Sequence, residues 1–379
     1  MPGLTDPTTT RYAATLISIV GFLLGLASCD SPEGRQEQGV GTERSGQDAA
    51  ERGPGPNREV LSGVVYTADE DGASLSMIIL ATDSVRNVPV EIAPHNIQIS
   101  GDRRVILATG PLASATGDSN SSNDQQGTRA GQLLILDAMN PDPDSGTMVE
   151  VGPDPAHVVI DDEGRFAYVT DMELDRVFVV EVPRGEVVAE IETAATPHGL
   201  RLSPDGRELY VACMGGGSLS VIDTQERREI AQIPVGEAPV QVAFTPDGRW
   251  VYVSLNDEDA VAVIDVGSRT VIGKIPVGSG PIQLYGTPDS RLIYVANEGT
   301  EARPDSTVSV IEVASDSVIE TIVSGSGPHG VVVSDDGKYV FVTNVYDNSV
   351  SAIEVESQEV VERFSVGKGP NGVTYRPER

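Results

Sequence analysis

The chain has almost no sulfur chemistry to offer, with two cysteines in 379 residues. Cys29 follows an N-terminal apolar segment and is expected to be taken up by modification there, so Cys213 is the one thiol left for the remainder and no disulfide can form within it. Aromatics are equally scarce at 4 %, with one tryptophan, and histidine occurs four times. There is no Cys-x-x-Cys-His haem attachment, no cysteine pair for structural zinc, no nucleophile elbow, no glycine-rich phosphate loop and no EF-hand loop. Covalent c-type haem and thiolate-pair zinc are thereby excluded. Basic residues are outnumbered, 26 against 57 acidic, and the resulting charge of −31 makes nucleic acid and anionic lipid surfaces poor partners. Long amphipathic helical stretches are missing as well.

What is present is a period. Pro155, Pro197, Pro239 and Pro281 are each 42 residues apart, as are Pro328 and Pro370. Shortly after each proline comes a tight-turn sequence such as Ser203-Pro204-Asp205-Gly206 or Thr245-Pro246-Asp247-Gly248. Thirteen residues after it stands an aromatic, at Tyr168, Tyr210, Tyr252, Tyr294 and Phe341, and then runs such as Ser220-Val221-Ile222-Asp223 and Arg228 to Val235. β-Branched and aromatic residues at this spacing give four strands per repeat, the unit of a propeller blade. With Pro94, seven first strands are counted, but the chain ends at Arg379, just after the last. The three strands missing there are expected at the other end, in Gly63 to Thr67, Ser74 to Leu80 and Val88 to Ile92. The expectation is an all-β, seven-bladed β-propeller of four-stranded antiparallel blades, closed by pairing its two chain ends.

Tyr-Val-Ala at 294–296, Phe-Val-Thr-Asn at 341–344 and the Val-Ile-Asp endings resemble the YVTN-repeat β-propellers, of YncE-like or surface-layer type, over residues 60–379. Propellers with this repeat are similar to the haem d1 domain of nitrite reductase, to the nitrous oxide reductase propeller and to lactonase-like enzymes. The resemblance therefore implies the fold and leaves the activity open.

Ahead of the repeats, Arg11 precedes an apolar run at 12–26 that is too short for a stable membrane span and has the layout of a secretory signal. It ends in Leu26-Ala27-Ser28-Cys29, which resembles the bacterial lipobox and implies cleavage before Cys29 and lipid on its thiol. The expected organisation is a signal peptide at 1–28, a lipidated Cys29 and flexible tether at 29–58, and the propeller at 59–379. The protein would then sit in the bacterial cell envelope, anchored to the membrane by the lipid and facing the periplasm or the exterior.

A four-stranded meander puts the start of each first strand on one face of the ring, and all four histidines lie there: His95, His157, His198 and His329. Asn96, Gln241, Gln283 and Asn371 occupy the corresponding places in the same and remaining blades. Imidazole is the commonest zinc and copper ligand and also ligates haem iron, so this mouth is the candidate ligand surface. Cys213 and Met214, at the end of a second strand on that face, would add soft sulfur suited to copper. Two insertions, Pro111 to Gly131 and Gly299 to Ser306, should overhang the histidines. The preferred expectation is a non-enzymatic binding or scaffold protein that takes a protein or small-molecule ligand at this face. The first alternative is a periplasmic redox or metal-handling protein with copper, zinc or a non-covalent haem d1-like group, and the second a lactonase-like hydrolase.

Overall fold

A computed structural model describes residues 61–113 and 131–378. The leader, Cys29, the tether and residues 114–130 of the first insertion lie outside the described residues. Among the described residues, seven four-stranded antiparallel sheets are arranged in a ring. The innermost strands are Asn96–Ile99, Pro155–Ile160, Pro197–Leu202, Pro239–Phe244, Pro281–Gly286, Pro328–Val333 and Pro370–Arg376, each packed against the next around the axis. Numbered in that order, blades one to six are continuous in sequence.

The seventh is made from both ends. Pro370–Arg376 pairs antiparallel with Val64–Asp69, with Val65 opposite Tyr375 and Thr67 opposite Val373. Ser74–Ile79 and Ser84–Pro89 complete that blade. The last of these strands corrects the expectation of Val88 to Ile92. Outer strands are mostly solvent-exposed, and of Ser84–Pro89 only Val88 is buried, so hydrophobicity does not mark the strand. The apolar residues Val90, Ile92 and Ala93 are buried in the crossover to blade one instead.

The aromatic column has a physical reason. Tyr66, Tyr210, Tyr252 and Tyr294 are fully buried between blades. Three of the hydroxyls reach polar partners in the following blade, Tyr66 donating to the Ala138 carbonyl at 3.0 Å, Tyr252 donating to Asp316 at 3.0 Å and Tyr294 accepting from Gln358 at 2.8 Å, while Tyr210 donates to Glu208 of its own strand at 3.2 Å. Each ring thus fills the inter-blade core and its hydroxyl is satisfied at the edge of it. The buried Val, Ile and Leu around them contribute about 1.5–3 kcal/mol each.

Glycine after His198 and His329 is also a packing requirement. A Cβ on Gly199 would stand 2.4 Å from the Val240 carbonyl, and one on Gly330 2.4 Å from that of Asn371. At these two places the neighbouring inner strand approaches too closely for a side chain. In blade five the Gly299 to Ser306 insertion forms a two-stranded hairpin, Gly299–Thr300 with Arg303–Pro304, rooted directly after Glu298.

Candidate functional site

The first-strand positions converge as the repeat requires. His95, His157 and His198, from blades one, two and three, place one ring nitrogen each within 4.8 Å of one another. Ring centroids of His157 and His198 are 4.5 Å apart, and His95 lies 5.5, 5.4 and 6.3 Å from His157, His198 and His329. His157, His198 and His329 are buried, while His95 keeps 19 % of its side chain exposed.

The hydrogen bonds fix which nitrogen faces the axis. His198 Nδ1 donates to the Val240 carbonyl at 3.2 Å, which leaves Nε2 as a lone pair. His95 Nδ1 donates to Glu70 Oε2 at 3.0 Å, and its Nε2 meets His198 Nε2 at 3.3 Å. His329 Nδ1 donates to Glu298 Oε2 at 2.7 Å, and Glu298 Oε1 accepts from the Tyr346 hydroxyl at 3.1 Å. His157 differs. Gln241 Oε1 accepts from the Val242 amide at 2.9 Å, so its Nε2 donates to His157 Nδ1 at 3.1 Å and the His157 proton sits on Nε2.

Charge is distributed accordingly. Burial favours a neutral His95, but the adjacent Glu70 carboxylate outweighs it and holds the ring above its ordinary 6.5. Burial and the neighbouring imidazoles push His198 down to about 3. Burial first, then His198, His95, His329 and Arg201, push His157 well below its ordinary range. Glu70 and Glu298 stay below the usual carboxylate range, because the facing histidines outweigh their burial. The mouth therefore holds two carboxylates, beside which His95 is pushed toward its charged form while His157 and His198 are pushed away from theirs.

Among the described residues, five buried side-chain nitrogen or oxygen atoms have no partner, and three of them belong here: His157 Nε2, His329 Nε2 and Gln283 Nε2. A desolvated polar atom left unpaired costs about 1–3 kcal/mol. Their concentration at one mouth is what a ligand site looks like when described without its ligand.

The donor set fits a first-row metal ion. Tetrahedral coordination at 2.0–2.1 Å places neighbouring nitrogens about 3.3–3.4 Å apart, and the two Nε2 atoms of His95 and His198 stand at 3.3 Å. His157 would join them only with its Nε2 proton removed, which requires the Gln241 amide to turn over.

The remaining expected residues divide. Asn371 Nδ2 donates to Glu70 Oε2 and so steadies the His95 partner. Asn96 Oδ1 accepts from the Val158 amide at 3.3 Å and braces blade two. Met214 is half-buried at the rim, its amide bonded to the Thr196 carbonyl. Cys213 is not with the imidazoles: it packs in the core between blades two and three, its Sγ against Ser220 Oγ at 3.5 Å, and burial pushes its thiol up. Glu70 and Glu298 were not anticipated. They stand four residues after the column aromatic, at Tyr66 and Tyr294, and that spacing was the available signal.

A family model described as YNCE-like β-propeller matches residues 149–377. No curated relative matches the chain. Among solved structures, hydrazine synthase of Kuenenia stuttgartiensis is 22% identical with a TM-score of 0.61, covering 75% of this chain and 95% of that one. The dihydro-haem d1 dehydrogenase NirN is 13% identical with a TM-score of 0.59, covering 84% of this chain and 76% of that one. A Bacteroides fragilis protein provisionally assigned as 6-phosphogluconolactonase is 15% identical with a TM-score of 0.63, covering 85% of this chain and 100% of that one. At these identities the likeness is one of fold.

Proposed function

The chain belongs to the YNCE-like β-propeller family, and from that premise we propose that it is a binding protein of the cell envelope whose ligand is a transition-metal ion held at the histidine mouth. The observation that carries the reading is the 3.3 Å approach of His95 Nε2 and His198 Nε2, each on a ring whose other nitrogen is already committed. Glu70 and the Val240 carbonyl orient these rings as outer partners of metal-bound histidines do. His95, His157 and His198 would hold the ion, and His329 with Glu298 would face it across the mouth. Imidazole donors suit copper or zinc. When bound, the ion supplies positive charge opposite two carboxylates.

Steep ring angles of 50° to 89° and centroid separations under 7 Å favour a bare ion over a macrocycle inserted among these rings. A tetrapyrrole, the ligand class of NirN, would have to lie above the mouth on His95, the most exposed of the four. Within the same reading, a lipid on Cys29 tethers the propeller to the membrane and the protein performs no covalent chemistry of its own.

Elemental analysis and competitive titration of the purified full-length protein test this. Copper or zinc binding weakened tenfold or more in His95→Ala and in His198→Ala is the expected result. Unchanged affinity in the double variant rejects the metal, a visible chromophore replaces it with a tetrapyrrole, and turnover of lactones rejects a purely binding role.

A further inference from the structure

The ring has a second mouth, where the inner strands end, and its chemistry is the reverse of the first. Four residues after the first-strand proline of blade three stands Arg201, half-buried in the bore. Its guanidinium lies 5.0 Å from the ring centroid of Tyr285 in blade five, and its Nη1 donates to Gln98 Oε1 of blade one at 3.3 Å. The side chain therefore crosses the channel and separates two clefts, of about 320 and 230 Å³, both of which it lines.

A guanidinium has five N–H donors. Among the described residues only Gln98 accepts from it, no carboxylate pairs with it, and its unpaired nitrogens, Nε and Nη2, are not sealed from solvent. The other charges at this mouth are matched locally. Asp335 pairs with Arg103, and the turn carboxylates Asp102, Asp205, Asp289 and Asp336 face a cation two residues on at 3.8 to 4.0 Å. Asp162 and Asp247 line neither cleft. In a chain of net charge −31, the lining of this mouth carries one uncompensated positive group. The walls of the larger cleft are apolar: Leu202, Phe244, Val333 and three turn prolines surround the Arg201–Tyr285 pair.

We propose that this mouth is a second binding site, distinct from the histidine mouth, for a small organic carboxylate with a planar apolar body. The carboxylate takes the fork of free Arg201 N–H groups in a bidentate pair, which a guanidinium matches and an ammonium does not. The body fills the cleft against Phe244, Tyr285 and the prolines, a wall composition and volume within the ordinary range of small-molecule sites. The channel thus has a carboxylate-lined end that suits cations and an arginine end that suits anions.

Calorimetric titration of the full-length protein with phenylacetate, phenylacetamide and phenyl phosphate tests the assignment. Phenylacetate is expected to bind saturably, phenylacetamide tenfold or more weakly, and Arg201→Gln to lose tenfold or more while His95→Ala changes nothing. Arg201→Lys, which keeps the charge without the fork, should fall between. If Arg201→Gln fails to fold, Tyr285→Leu, which leaves the guanidinium in place, must still weaken phenylacetate. Equal affinity for acid and amide, full affinity in Arg201→Gln or Tyr285→Leu, or no saturation at millimolar phenylacetate overturns the proposal. Preference for phenyl phosphate overturns the carboxylate class.

Discussion

His95 and His198 stand 103 residues apart in the chain and bring their Nε2 atoms to 3.3 Å of one another. Glu70 favours the charged form of His95, whereas burial and the neighbouring imidazoles push His198, bonded to a carbonyl, down to about 3. Two rings of the same residue type in the same repeat position are thus pushed in opposite directions, His95 toward and His198 away from the charged form.

Imidazole NMR on the metal-free protein should resolve this directly. His95 titrates above 6.5 and His198 stays neutral through the acid range. A histidine whose folded value is raised stabilises the fold fully below its unfolded value, and that contribution is lost as pH rises through the folded one. Glu70→Gln removes the carboxylate, leaves burial in control, and drops His95 below 6.5. Thermal melts at pH 6 and pH 8 should then differ less in the variant than in the parent. A His95 titration unmoved by Glu70→Gln contradicts the pairing.

Gln241 holds His157 in the tautomer that points a proton at the axis. Gln241→Glu keeps the acceptor for the Val242 amide and turns the second oxygen into an acceptor for a His157 Nδ1 proton, which frees Nε2 as a lone pair. Zinc affinity should rise about tenfold, the usual scale of such outer-partner effects, as read by competition with a chromophoric chelator. Affinity unchanged or lowered would place the ion away from His157.

Asp69 is fully buried, accepts from Thr67, Ser74 and Ser76, and is raised by burial to about 6 from 3.8. Its protonated form suits the fold, so its contribution to stability is present below 3.8 and is lost as pH rises through about 6. Asn297 and Asn344 hold the corresponding position in blades five and six and donate to the same kind of serine and threonine hydroxyls. Asp69→Asn should therefore stabilise the protein by on the order of 2 kcal/mol at pH 7 and by little at pH 3. Chemical denaturation at the two pH values measures it.

Removing residues 370–379 deletes the inner strand of blade seven and leaves Val64–Asp69 as an open edge beside an unfilled gap between blades six and one. Loss of cooperative thermal unfolding and a shift to aggregates on gel filtration are expected. A truncated chain that melts as a monomer at the parent temperature contradicts closure by this strand.

The repeat made the histidine mouth legible before any coordinates, because a fixed position in a meander always returns to the same face. The same logic could have reached Glu70 and Glu298, since their column is fixed at four residues past the aromatic. It was harder to read because the column also holds Pro111, Met172, Met214, Asn256 and Val345, with no shared chemistry. Cys213 stands one place before Met214, and strand alternation turns that place into the inter-blade core. The outer strand Ser84–Pro89 was misplaced because it buries almost nothing.

The amino-acid sequence by itself determined the number of blades, the closure of the ring by its two ends and the face on which all four histidines emerge, since each follows from a period of 42 residues and the backbone preferences of its members. Tertiary structure alone decided which histidine is pushed toward its charged form, which nitrogen each presents, and that Arg201 lies without a carboxylate in the bore. Those properties depend on partners contributed across the axis by other blades, at distances of a few ångströms that no spacing along the chain encodes.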